Sequence, residues 1–102
     1  MYRDILTMCW SIKEVNKNLT DRKSTSDFSI RYLKNACSVL AEMMRKMSKT
    51  MPDEALNVVD KKGEKKSISL HDVSEMLYDP RKIIEFNLID SIGRWARNRM
   101  AA

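Results

Sequence analysis

Apolar residues recur at Met1, Ile5, Met8, Ile12, Val15 and Leu19, in alternating steps of four and three. On a helix of 3.6 residues per turn this spacing lines one face, so it predicts a helix of about five turns. Tyr2, Leu6, Cys9 and Trp10 widen the seam over its N-terminal half. Fewer than about three heptads are too few for a self-standing coiled coil, so the helix is expected to pack within a bundle.

The polar connector TDRKSTSD follows, in which Ser24 or Ser26 can accept from the free N–H groups that open the next helix, with Asp27 favourable in its first turn. Helix two is expected to run to about Thr50. Its seam is Ile30, Leu33, Cys37, Leu40, Met44, Met47 and Met51, with Tyr32, Ala36, Val39 and Met43 in a row beside it. A face this broad predicts the central helix of the domain. The opposite stripe, Arg31, Lys34, Ser38, Glu42, Arg45 and Lys49, reads as a solvated face or as a basic strip.

Met51 and Pro52 break that pattern, and PDEALNVV has the marks of a new helix start, with Pro first and two acids behind it. A short helix or irregular segment over Pro52 to Val59 is the favoured reading. The same LNVV also fits a short strand, pairing across Gly63 with SIS in a minor β-hairpin near residues 56–69, because Gly63 supplies the positive φ such a turn needs. Ser69 with Asp72 three residues on predicts a capped helix whose stripe is Leu70, Val73, Met76 and Leu77, ended by Asp79 and Pro80. One last helix is expected from about Pro80 to Asn98, burying Ile84, Leu88, Ile92 and Trp95 beside Phe86, Ile89, Gly93, Ala96 and Met100. Gly93 marks either a close helix crossing or the helix end.

These patterns predict an all-α fold for residues 1–102, a single helical domain of three long helices plus one or two short ones in an orthogonal or bundle-like arrangement. Helix two and the last helix are expected to form the core, with helix one packed across them or exchanged with a second copy. Composition agrees, since 43% hydrophobic and 32% charged residues with only two Gly and two Pro describe an ordered helical protein. Cys9 and Cys37 sit among apolar residues with no paired spacing, which suggests reduced, buried thiols in the cytoplasm or another reducing compartment, the nucleus included. Charges at Arg3 and Asp4 interrupt the N-terminal apolar run, so neither a leader nor a membrane span is expected.

Charge is unevenly placed. Residues 1–52 carry +5, residues 53–79 carry −3 and residues 80–102 carry +3. Two basic portions flanking an acidic one suit nucleic acid, an acidic protein or self-association.

Metal and catalytic chemistry have little support. VVDKKGEKKSISLHD has the cadence of a calcium loop, but setting Gly63 at loop position 6 puts Val58 at position 1, and setting Ile68 at position 8 puts Lys61 there. Both registers lack the first carboxylate. The soft ligands Cys9, Cys37 and His71 lie on separate elements, without the close pairs zinc favours. With one His and no phosphate-cradling Gly loop, no nucleophile and base can be paired, so an enzyme, a cofactor and a small-molecule substrate are not expected.

Binding functions remain. The leading expectation is a non-catalytic interaction or regulatory protein, a homodimer that meets a protein partner through helix faces. Met43, Met44, Met47 and Met51 form an adaptable stripe, and Tyr2 and Trp10 are further anchors. A Met stripe at helical spacing equally fills a core. The alternative is a nucleic-acid-binding regulator. SLHDVSEMLYDPRKIIEF resembles a helix-turn-helix over residues 70–90, with Arg81, Lys82 and Glu85 turned to the groove. It departs from that pattern in having Tyr78 for the usual turn Gly and one residue too few in YDP. Lys61, Lys62, Lys65 and Lys66, with Arg94 and Arg97, are the other nucleic-acid candidates.

Overall fold

The computed structural model describes the backbone of residues 1–22 and 27–101, and the side chains of residues 1–17 and 31–101. The expected caps Ser24 and Ser26 lie outside the described residues, as do the side chains of the seam positions Leu19 and Ile30. Among the described residues the chain is mostly helical, with five helices and one hairpin: α1 (Tyr2–Arg22), α2 (Asp27–Thr50), β1 (Ala55–Val59), β2 (Lys65–Ser69), α3 (Leu70–Met76), α4 (Pro80–Glu85) and α5 (Leu88–Ala101).

α1 buries Ile5, Leu6, Cys9 and Ile12 of the face expected of it and half buries Tyr2, Met8 and Val15, but Met1 and Trp10 of that face are exposed. α2 buries Ala36, Leu40, Ala41, Met44 and Met47, but Tyr32 and Val39 of its second row are exposed. The expectation that helix two and the last helix form the core is corrected. Among the described residues the extensive helix contacts are α1 with α5, α2 with α3, and α1 with α2, so α1 lies in the middle. One connected cluster of buried apolar side chains runs through all the elements except α4.

The favoured helix at Pro52–Val59 is also corrected, in favour of the hairpin. β1 and β2 pair antiparallel with Leu56 opposite Ile68 and Val58 opposite Lys66. The period decides it: Leu56 and Val58 are buried while Val59 is half exposed, which a strand's alternation produces and a helix's does not. Five residues join the strands, and Asp60 organises them. Its Oδ1 accepts from the N–H groups of Lys62 and Glu64 at 2.9 Å each, its carbonyl accepts from Gly63 N at 3.0 Å, and Gly63 takes φ +85°.

Ser69 caps α3 as expected, accepting from Asp72 N at 3.1 Å, and Asp79 caps α4 by accepting from Arg81 N at 3.0 Å with Pro80 in the first turn. The single helix expected from Pro80 to Asn98 is two helices. Asn87 takes φ +50°, a left-handed conformation that Asn tolerates better than most residues, and the chain turns there. The turn resets the helical phase. Leu88, Ile92 and Trp95 are buried, whereas Ile84, expected on their row, is 67% exposed. Gly93 neither ends α5 nor marks an exceptionally tight crossing, because a Cβ built there meets Cys9 Cβ at 3.7 Å and Leu6 Cδ1 at 3.8 Å, ordinary contact distances.

Candidate functional site

The hairpin turn and the first turn of α4 enclose an open cleft of about 470 Å³. Lys61, Lys62 and Lys66 line it from the hairpin and Arg81 from α4, together with Asp60, Glu64 and Glu85. Residues far apart in sequence are brought together here by a buried ring. Phe86 is 5% exposed, and the ammonium groups of Lys66 and Lys82 each stand 5.6 Å from its centroid. Both lysines also have acidic neighbours, Lys66 at 3.7 Å from Asp60 Oδ2 and Lys82 at 3.9 Å from Glu85 Oε2.

Lys61, Lys62 and Arg81 are different. All three are exposed, and none has an ion pair among the described residues. Strand alternation turns Lys65 to the opposite face of β2 from Lys66, so it does not line the cleft. The segment expected to form a helix-turn-helix is described by its helices alone. α3 and α4 are capped helices joined by a short turn, Leu70, Val73, Ser74 and Leu77 face inward, and Arg81 is open to solvent with Lys82 and Glu85 half exposed. Six residues give α4 a length of only about 9 Å, too short to lay several base-reading side chains along a groove.

Arg94 and Arg97 stand elsewhere. They line a shallow depression of about 150 Å³ between α1 and α5, with Trp10 and Lys13 beside them and Leu6, Cys9, Ile89 and Gly93 among its lining residues. Lys13 forms an ion pair with Asp90, and this contact, with a second hydrogen bond from Asn87, holds the Asp90 carboxyl below its ordinary range. Burial pushes the Cys9 thiol up to about 12, so it stays protonated at neutral pH and is a poor nucleophile. Burial raises Cys37 as well, and both cysteines are free thiols.

The methionine stripe falls mainly inside the protein. Met44 is fully buried and Met47 is 6% exposed, so these two candidates for partner binding are core residues, while Met43 and Met51 are half buried. Tyr2 is half buried too, edge-on to Trp95 with ring centroids 5.5 Å apart, and its hydroxyl lies 3.5 Å from Met51 Sδ. Only Trp10 of that group is largely exposed, at 55%. Neither the organising role of Asp60 in the turn nor the seating of Lys66 and Lys82 on Phe86 was expected from the sequence. An Asp three residues before a turn Gly was the legible signal for Asp60, and a Phe next to an Asn was a weaker one for Phe86.

Comparison of this chain with protein-family models, with curated proteins and with solved structures finds no match.

Proposed function

We propose that the protein is a non-catalytic nucleic-acid-binding protein that holds backbone phosphates on the face formed by the Gly63 hairpin and the start of α4. The observation that carries this reading is the convergence of Lys61, Lys62 and Arg81, all exposed and without ion pairs among the described residues, on one open cleft. Lys66 adds positive charge at its wall, so four cations face the carboxylates of Asp60, Glu64 and Glu85. Two of those carboxylates, Asp60 and Glu85, lie next to Lys66 and Lys82, so Lys61, Lys62 and Arg81 share the cleft with the single carboxylate of Glu64 and keep a net positive charge for a ligand. Flexible cations on a short helix and a turn suit phosphate contact more than base reading.

Binding to a mixed-sequence duplex tests it. Three phosphate contacts predict that log K falls against log salt with a slope of about −3. Replacing Lys61, Lys62 and Arg81 by Gln should remove most of that slope, while Lys65→Gln, on the other face of the strand, should leave it nearly unchanged. Absence of duplex binding at about 50 mM salt, or an unaltered slope in the triple variant, would overturn the reading.

A second reading, a protein-interaction surface that includes self-association as a homodimer, is favoured by a different observation. The Tyr78 hydroxyl donates to Glu42 Oε1 at 3.3 Å, which sets an exposed tyrosine against α2 on the side where Val39, one turn earlier, is 45% exposed. Sedimentation velocity at increasing concentration tests it, and a monomer throughout the tens of micromolar range would remove the homodimer.

A further inference from the structure

We infer that the α1–α5 face is a single-strand site, with Trp10 as the stacking platform for one unpaired base and Arg94 and Arg97 as contacts for the adjoining phosphates. This deepens the nucleic-acid reading and rests on it for the class of ligand, though on none of the same residues. Trp10 has the largest side chain on α1 and leaves 55% of its surface in water, although the helix has a buried seam one position away at Cys9. Burying an indole is strongly favourable, so an exposed one beside a depression leaves a face unmatched within the fold.

The cations around it are arranged asymmetrically. Lys13 is engaged by Asp90, but Arg94 and Arg97, both exposed and one turn apart on α5, have no ion pair among the described residues. Guanidinium groups bind phosphate bidentately and stack on bases. Cys9 and Gly93 line the depression together with Trp10 and the two arginines.

Its size narrows the ligand. At about 150 Å³ it is smaller than the roughly 300 Å³ at which pockets begin to enclose a drug-sized molecule, and it is too shallow for a partner helix. One planar ring laid on Trp10, with its phosphates toward Arg94 and Arg97, fits this size and charge, the Asp90 carboxylate in the lining being engaged by Lys13. Bases in a duplex are stacked on one another and have no free face to offer. A single strand does, and aromatic stacking with a basic track is how single strands are commonly held.

The two sites adjoin along the chain, since Glu85 lines the hairpin cleft and Ile89 the depression, on either side of the turn at Asn87.

The test uses the full chain, a 12-nucleotide oligothymidylate and a blunt mixed-sequence duplex, each end-labelled for anisotropy and also titrated unlabelled against tryptophan fluorescence. Oligothymidylate should quench the exposed Trp10, whereas Trp95, 9% exposed, should contribute little to the change. Trp10→Ala should weaken oligothymidylate binding by about five-fold or more and leave duplex binding within two-fold. Replacing Arg94 and Arg97 by Gln should reduce the single-strand salt slope by about 1.4, two contacts at about 0.7 each, with Trp10 still present to report the quench. No quench by oligothymidylate, or equal loss of both ligands in Trp10→Ala at an unchanged melting temperature, overturns the inference. Duplex binding that depends on Lys61, Lys62 and Arg81 without any quench by oligothymidylate refutes this site alone. Quenching without duplex binding refutes the hairpin cleft alone and upholds this site, and absence of both refutes the two together.

Discussion

The indole N–H of Trp95 donates to Glu54 Oε1 at 3.0 Å, and Arg99 reaches the same oxygen from the next turn of α5. One carboxylate in the link between α2 and β1 thus fastens the C-terminal helix, while Tyr2 of α1 packs edge-on against the other side of the Trp95 ring. Three segments far apart in sequence meet at this one indole.

Glu54→Ala should destabilise the fold by about 0.5 to 1.5 kcal/mol, because the Trp95 donor loses its acceptor at a site that Glu54 and Arg99 leave partly open to water. Urea unfolding followed by near-UV dichroism measures it.

The same carboxylate predicts an acid sensitivity. Hydrogen bonds from Arg99, then from Trp95, hold the Glu54 carboxyl below its ordinary value of 4.5. A depressed folded-state pKa contributes stability that is present above the unfolded value and is lost as pH falls through the folded one. Asp90, held down by Lys13 from an ordinary 3.8, acts in the same direction. The melting temperature should therefore be flat from neutral pH to about 5 and fall below about 4.5, and Glu54→Gln should shallow that fall.

Asn87 separates α4 from α5 at φ +50°, where a β-branched side chain is strained. Both Asn87→Val and Asn87→Gly lose the side-chain hydrogen bond to Asp90, so Asn87→Val should cost about 1 to 2 kcal/mol more than Asn87→Gly. Equal effects of the two substitutions in denaturant unfolding would contradict a backbone origin.

The two glycines should respond with opposite sign. At Gly63, φ +85° makes Ala unfavourable although nothing lies within 4 Å of the added Cβ, so Gly63→Ala should destabilise by about 1 kcal/mol. At Gly93 the added methyl finds ordinary contact distances and a helical backbone, so Gly93→Ala should stabilise by about 0.5 to 1 kcal/mol. Thermal unfolding of both variants in one buffer compares them directly.

Neighbouring methionines separate core from surface. Met44 is fully buried and Met43 is not, so Met44→Ala should cost about 2 to 5 kcal/mol and Met43→Ala clearly less. Similar losses would mean that the stripe does not divide where the fold divides it.

What the sequence determined by itself is what neighbouring residues determine physically. Ile5, Cys9 and Ile12 read as one helix face because their spacing alone puts them there, and Ser69 read as a cap because its acceptor needs only the N–H three residues on. Tertiary structure decided the rest. LNVV carries spacing that a helix or a strand can use, and the strand prevailed because Leu56 found Ile68 across the hairpin and both could be buried. The last helix broke at Asn87 because Phe86 and Leu88 are both buried on either side of a turn, a demand that no local periodicity contains. The lysines near Gly63 were legible as a basic run, but their convergence with Arg81 was not. That convergence depends on α3 folding the chain back toward the hairpin, and on Phe86 seating Lys66 and Lys82 over one ring. Trp10 read both as a widening of the helix seam and as a partner anchor, and the packing of α1 on α5 decided between them by leaving its ring in water beside Arg94 and Arg97.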